Sequence, residues 1–456
     1  MPNPAYYIMA KPIGAVCNLD CKYCYYLEKE KLYPNNPDKY HMSDKVLELF
    51  IASYIHGQAG RSILFTWHGG EPLMRGIDFF KKVIELQKKY GAGKYIENSL
   101  QTNGTLLTDD WCLFFKENKF LIGLSIDGPE HCHDHYRTYK DGKPSFAKTM
   151  MGVELLIKHG VDFNTLSVVN DYNSKYPLEV YRFLKQIGSR FMQFIPIAEW
   201  IDPDSTPDQL SILAPNSGKN AVVTDWSVDP VDYGNFLIKI FDEWVSRDVG
   251  NYYVITFDAV LANWLGEPPA ICVYAKTCGT AAAMEFNGDV YACDHFVFPE
   301  YKLGNVRNTL LETMMQSDFQ RKFGRDKWDK LPRYCFQCEF LKLCTGECPK
   351  NRFLTTPDGQ PGLNYLCAGF KLFYAHVAHY MKFMANEIRN DRAPSNVMEW
   401  IKRKQAKVKP VVQEPAKILA PKKMIVHRND PCPCGSGMPY KKCCALKPRS
   451  QQGISG

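Results

Sequence analysis

The chain has no apolar run near the ~18 residues that a membrane-spanning helix needs, which excludes a helical integral membrane protein. It opens MPNPAYYIMAKPIG, with no charged segment leading into an apolar one, so no secretory signal is read there. No long internal repeat is present. Nor is apolar content short: 45% apolar and 23% charged residues over 456 positions exclude a mostly disordered chain. Charge is scarce where a nucleic-acid footprint would need it. Residues 386–456 hold 15 Lys and Arg against 5 Asp and Glu, a local +10 that leaves −3 for the other 385 residues of an overall +7. The body is near neutral and only the tail is basic, suited either to solvation or to an anionic partner. The expected location is the cytoplasm, where thiols stay reduced. What the chain does have is 17 cysteines. In a reducing compartment these point to metal sites rather than to disulfides.

Over the first 245 residues, strand and helix patterns alternate. Strands are expected at Tyr6–Ala10, Ser62–Trp67, Ile96–Leu100, Leu121–Ile126, Phe163–Val169 and Phe191–Ile195. Helices are expected at about Ser43–His56, Ile77–Tyr90, Asp109–Glu117, Ser145–His159, Lys175–Gln186 and Val231–Val245. Six βα units predict an α/β fold, a parallel sheet with helices outside. Eight would close a barrel; six predict a partial, open one. Chemistry in such folds gathers at the carboxyl ends of the strands. There the sequence places His68-Gly69-Gly70-Glu71-Pro72, Gln101-Thr102-Asn103-Gly104 and Ser125-Ile126-Asp127-Gly128, with Asn170 after the fifth strand and Gln193 within the sixth. Beyond about residue 250 cysteines and turn residues dominate and helices should be short. A helix end is expected at about Ile401, followed by a flexible basic linker. The loop 202–220, rich in Pro, Ser and Asp, is either functional or mobile.

Fifteen cysteines fall into three groups. Cys17, Cys21 and Cys24 form a C-x3-C-x2-C run after the first strand. Three thiolates suit three irons of a [4Fe–4S] cluster and leave the fourth iron open, whereas structural zinc takes four ligands. The second group is Cys272, Cys278, Cys293, Cys335, Cys338, Cys344, Cys348 and Cys367. Eight thiolates match two four-cysteine clusters or two zinc sites. The third is Cys432, Cys434, Cys443 and Cys444 around Gly435-Ser436-Gly437, which suits one tetrahedral Zn2+. So short a module needs metal to fold. Cys112 reads as an inert core thiol. Cys132 lies in His131-Cys-His133-Asp134-His135, which could pass for a metal box, although His133, Asp134 and Arg137 form a His-Asp-x-x-Arg segment that implies no metal.

The three-cysteine loop, the strand order and Gly-Gly-Glu-Pro together resemble the radical S-adenosylmethionine superfamily over residues 5–245. That resemblance implies a cluster whose open iron chelates S-adenosylmethionine and whose reduction releases a 5′-deoxyadenosyl radical. It places Gly69, Gly70 and Glu71 at the methionine amino group, Tyr23 by the adenine, and Gln101 and Ser125 as further cofactor contacts. The plain alternative for the last two is strand-end capping. The second cysteine group resembles the SPASM extension of peptide-modifying radical enzymes. By that resemblance Cys272, Cys278, Cys293 and Cys348 ligate one auxiliary cluster and Cys335, Cys338, Cys344 and Cys367 the other, making three clusters in all. The last group resembles the SEC-C zinc motif, with Met438-Pro439 where the motif usually has Lys. The implied organisation is a barrel at 1–248, a SPASM domain at 249–388, a basic linker at 389–428 and a SEC-C motif at 429–447.

Cys24-Tyr25-Tyr26, Trp67-His68-Gly-Gly-Glu-Pro, Gln101-Thr-Asn-Gly, Ser125-Ile-Asp-Gly-Pro and Cys293-Asp294 resemble the anaerobic sulfatase-maturating enzymes over residues 5–385. The resemblance implies oxidation of a Cys or Ser, within a Cys/Ser-x-Pro-x-Arg segment of an unfolded sulfatase, to Cα-formylglycine. It implies Asp294 as the base, its pKa raised by burial and anionic clusters, and Tyr26 against the peptide, although core packing explains Tyr26 as well. A low-potential electron donor of flavodoxin or ferredoxin type is expected, and the tail's likeness to the SEC-C module, with its +10 charge, implies a Sec- or ribosome-associated partner. Two rival readings remain at this point: another SPASM maturase, making a thioether or a quinone cofactor, and a non-enzymatic iron–sulfur carrier or adaptor.

Overall fold

A computed structural model describes residues 5–34, 40–206, 208–214, 221–407, 427–429, 431, 432 and 436–443. Six strands follow the expected order: β1 (Tyr7–Ala10), β2 (Ser62–Trp67), β3 (Tyr95–Thr102), β4 (Phe120–Ser125), β5 (Phe163–Val169) and β6 (Phe191–Pro196). Each pairs in parallel with the next. Side chains of β2 alternate between helix-side core and lumen, the period of two that a half-polar strand requires. The helices between them are α1 (Asp44–His56), α2 (Ile77–Tyr90), α3 (Asp109–Glu117), α4 (Glu130–His133), α5 (Phe146–Lys158) and α6 (Pro177–Gln186). Ser43 and Thr108 are caps rather than first turns: their hydroxyls accept the Val46 and Trp111 amides. The remaining bounds shift from expectation by one or two residues, as helix and strand ends do.

The sheet is larger than six strands. A short pair, β7 (Trp200–Ile201) with β8 (Val222–Val223), stands apart from it. After α7 (Pro230–Arg247), β9 (Tyr253–Val254) joins β6 in parallel and leads into α8 (Ile255–Leu265). On the other edge β10 (Ala281–Met284) joins β1 in parallel, and β11 (Asp289–Tyr291) and β12 (Lys302–Asn305) extend it antiparallel. Ten strands therefore run β12-β11-β10-β1-β2-β3-β4-β5-β6-β9. The Cys-rich segment and the barrel share one sheet, and residues 1–402 form one compact unit. The lumen side of the sheet carries Thr66, Ser99, Gln101, Asn164 and Gln193, which line a cavity of about 280 Å³.

Two expectations for the later residues are corrected. The longest helix of the chain, Cys367–Arg389, lies where only short ones were expected. Its Phe370, Phe373, Tyr374, Val377 and Met381 repeat every three or four residues and are buried with Tyr233, Leu237 and Phe241 of α7. The two helices meet through glycines: a Cβ on Gly369 would stand 1.8 Å from the Pro230 carbonyl oxygen. The linker expected from 389 also begins later. Asn396–Lys407 is helical, with Val397 and Ile401 buried and Trp400 stacked on Phe383 at 4.8 Å. The helix end expected at about Ile401 falls within this helix, and only the linker boundary at 389 is corrected. Residues 408–426 lie outside the described residues.

Candidate active site

A cavity of about 390 Å³ opens at the carboxyl ends of β1–β6. Cys17, Cys21 and Cys24 line it together with Gly69, Gly70, Gln101, Ser125 and Asp294. The cysteine loop is fixed by backbone. The Gly70 amide donates to the Gly14 carbonyl at 2.8 Å and the Glu71 amide to that of Val16 at 2.9 Å. A Cβ on Gly70 would lie 1.9 Å from the Val16 oxygen, so only glycine lets the loop come this close. Gly69 has φ +129°, again a glycine conformation. The Asn103 amide reaches Asn18 Oδ1 at 2.9 Å and ties the loop to the end of β3. Burial pushes the Cys17 thiol up to about 12, with Glu71 adding to the rise. Three soft donors, half-buried and held protonated unless a cation sits among them, fit an iron–sulfur group.

Glu71 does not face this cavity. Its carboxylate accepts from the Leu73 amide at 3.0 Å, the Thr102 hydroxyl at 2.9 Å and the Asn103 amide at 2.8 Å. It organises the strand end, which leaves Gly69 and Gly70 to line the cavity. Tyr23 does line it, and its hydroxyl donates to Asp127, which Arg137 also grips at 2.9 and 3.1 Å. Gln101 Nε2 donates to Ser125 Oγ at 3.4 Å, and both face the cavity. Tyr26 forms part of the wall, but its ring belongs to a small buried cluster with Ala15, Ala283, Tyr291 and Val297. Its hydroxyl is committed to Glu285.

Asp294 opens onto the same cavity. Tyr25 OH donates to one carboxylate oxygen and the Lys11 ammonium pairs with the other. Burial opposes its charge, but Lys11, with His68 and His295 next, holds the carboxyl well below the usual carboxylate range. A buried cation thus sits against the carboxylate and favours its ionised, proton-accepting form. Tyr25 and His68 stood in the sequence motifs without an assigned role, and Lys11 had not been singled out. An isolated lysine closing an apolar strand was the available signal.

The eight later cysteines gather in two neighbourhoods. Cys293 feels the charges of Cys348 and Cys272, and Cys278 that of Cys272. Cys335 feels Cys367 and Cys338, and Cys344 feels Cys367 and Cys335. The buried Lys327 ammonium donates to the Cys272 and Val273 carbonyls at 2.6 and 2.9 Å and pins the first of these loops. Among the described residues no three His, Cys, Asp or Glu side chains converge on a single-ion site.

The sequence matches the Radical SAM superfamily over residues 12–184, the iron-sulfur cluster-binding SPASM domain over 275–339 and the SEC-C motif over 428–446. It is 56% identical over 396 residues to the serine-type anaerobic sulfatase-maturating enzyme of Bacteroides thetaiotaomicron, covering 87% of this chain and 95% of that one. This chain belongs to the anaerobic sulfatase-maturating enzymes. A cysteine-type member from Clostridium perfringens is 33% identical, covering 85% of this chain and all of that one. The solved structure "Native anSMEcpe with bound AdoMet and Cp18Cys peptide" superposes with a TM-score of 0.72 at 32% identity, covering 84% of this chain and 100% of that one.

In this sulfatase-maturating family member the His131–His135 segment is structural. His133 Nε2 lies 3.0 Å from Ser145 Oγ, Asp134 caps α5 through the Ser145 and Phe146 amides, and His135 stacks on Tyr172 at 3.9 Å. Cys112 and Cys132 are buried in the two large apolar cores. Residues 403–456 form a separate unit, in which the Cys432 amide donates to the Met438 carbonyl at 2.9 Å and Ser436 Oγ to Cys443 Sγ at 3.1 Å. Cys434 and Cys444 lie outside the described residues. No helix among the described residues is long and apolar enough to cross a membrane.

Proposed function

We propose that the enzyme oxidises a serine in a sulfatase polypeptide to Cα-formylglycine without oxygen. The observation that carries this reading is Asp294, adjoining Cys293 and facing the cavity that the Cys17, Cys21 and Cys24 loop lines. Preference for serine over cysteine rests on the serine-type relative being the more similar of the two compared. Cys17, Cys21 and Cys24 would hold the cofactor-binding cluster, with Gly69, Gly70, Tyr23, Gln101 and Ser125 around S-adenosylmethionine. Cys272, Cys278, Cys293 and Cys348 would hold one auxiliary cluster, and Cys335, Cys338, Cys344 and Cys367 the other.

When bound, these groups supply hydrogen-atom abstraction at the target carbon and uptake of one electron. The chain's own residues do the rest. Asp294 takes the hydroxyl proton of the target as the CH2OH carbon becomes CHO. One hydrogen atom, one proton and one electron leave, which balances the two-electron oxidation. Tyr25 and Lys11 hold the accepting carboxylate in place, and the buried Tyr26 in the cavity wall keeps water from the reacting carbon.

A flavodoxin- or ferredoxin-type donor would reduce the clusters, in the cytoplasm. The tail would carry Zn2+ on Cys432, Cys434, Cys443 and Cys444 and bring a Sec- or ribosome-associated partner. Truncation after Lys407 tests that role cleanly, because a cut at Asn390 would also remove the buried Val397 and Ile401. The reading as a whole is tested by co-expressing the enzyme with a serine-target sulfatase in anaerobic cells. Sulfatase activity that appears with the wild type and not with Asp294→Asn supports it. Equal activity with either, or none with both, rejects it.

A further inference from the structure

A polar chain crosses the floor of the cavity from Tyr25 toward Ser125, and its centre is Lys11. The Lys11 side chain has no exposed surface. Its ammonium meets three partners: Asp294, His68 Nδ1 at 3.2 Å and the Tyr26 ring at 3.8 Å. The Gly69 amide also donates to His68 Nδ1, at 2.7 Å. An imidazole nitrogen that accepts twice carries no proton, so the proton of His68 is on Nε2. Burial, with Lys11 next, holds the imidazole neutral, down to about 3. Nε2–H is then free for a partner in the cavity, which Gln101 also lines. Donation to the Gln101 carbonyl oxygen would leave its amide nitrogen for Ser125 Oγ. The ammonium of Lys11 thus has a partner on each side, which holds Asp294 and His68 in place. The backbone is equally fixed: the Lys11 amide donates to Met284 of β10 at 2.8 Å and the His68 amide to Ala10 at 2.9 Å.

We propose that Lys11 is a positioning residue of the oxidation: it fixes the Asp294 carboxylate toward the target side chain and, through His68, couples that placement to Gln101 on the cofactor side of the cavity. The proposal rests on the reading of Asp294 as proton acceptor. A lysine serving only the fold would stabilise the chain without affecting what becomes of the target after hydrogen abstraction.

The test uses reconstituted holoenzyme with Lys11→Met, His68→Leu, His68→Asn and Asp294→Asn. Two quantities are read: formylglycine formed per S-adenosylmethionine cleaved, and the affinity for a fluorescent serine-target peptide without reductant. Lys11→Met is expected to lower the first by ~10-fold or more while the second stays within about threefold. His68→Leu should lower the first as well, and His68→Asn, whose side-chain oxygen replaces the Nδ1 acceptor, should restore most of it. A wild-type ratio in Lys11→Met overturns the proposal. So does a loss of peptide affinity as large as the loss of product. If Lys11→Met fails to hold iron, the His68 pair decides, and equal ratios for Leu and Asn overturn the proposal. Loss of product in Asp294→Asn but not in Lys11→Met sinks only the role of Lys11, whereas a wild-type ratio in Asp294→Asn sinks the proton-acceptor reading itself.

Discussion

The ammonium of Lys11 and the carboxylate of Asp294 form an ion pair at the foot of the cavity, with no Lys11 surface exposed and 16% of the Asp294 side chain open. The open part of the pair thus belongs to Asp294, whose side chain lines the cavity. Asp294→Asn keeps the shape and removes the acceptor. S-adenosylmethionine cleavage should persist, while formylglycine formation falls by ~100-fold or more, the range of a lost general base. Anaerobic assays of both products on one sample check this.

Gly70 sits where its added Cβ would stand 1.9 Å from the Val16 carbonyl oxygen, one residue before Cys17. Gly70→Ala must push the cysteine loop outward. The expected cost is about 1–3 kcal/mol of stability. Cofactor cleavage should fall by ~100-fold, because displacements near 1 Å are that costly to aligned reactants. Thermal unfolding and cofactor turnover measure the two effects separately.

The two cysteine neighbourhoods predict how iron is lost. With three clusters the holoenzyme carries about twelve irons. Cys278→Ala combined with Cys348→Ala should cost no more iron than either alone, about four. Cys348→Ala combined with Cys367→Ala should cost about eight. Iron analysis of the reconstituted variants decides, and a loss of about eight from the first pair contradicts the partition.

Asp258, on the wall of the barrel lumen, is pushed up to about 6 by burial. Its ordinary value is near 3.9. The folded state therefore holds this proton more tightly than the unfolded chain. That contribution is full below pH ~4 and is lost as pH rises through ~6. Asp258→Asn removes the dependence. Relative to wild type, the variant should gain about 1 kcal/mol between pH 5 and pH 8, read as a change in the difference between their unfolding temperatures.

Much of the barrel was legible because periodicity reports local structure. Strands β1–β6 announce themselves by short apolar runs, and the glycine-bearing turns after them mark the catalytic end. The family's cysteine spacing likewise proposed a grouping of the eight later cysteines. What sequence did not carry was partnership between distant residues. Glu71 stands in a motif that suggests a ligand, yet three donors from β3 and the turn after β2 turn its carboxylate inward. The charge state of Asp294 depends on Lys11, at the other end of the chain, and no local pattern joins them. β10 is a short Ala-rich strand whose pairing with β1 comes from tertiary packing rather than propensity.

The central claim is tested most directly by anaerobic mass spectrometry of a Ser-x-Pro-x-Arg peptide and its Cys counterpart, each incubated with reconstituted enzyme, S-adenosylmethionine and a strong reductant. Formylglycine would appear as a loss of about 2 Da from the serine peptide, and of about 18 Da from the cysteine peptide if that is also accepted, by the atoms removed in an oxidation completed by proton transfer. The account predicts the first, with serine turned over faster. Cofactor cleavage with both peptides unchanged in mass would contradict it.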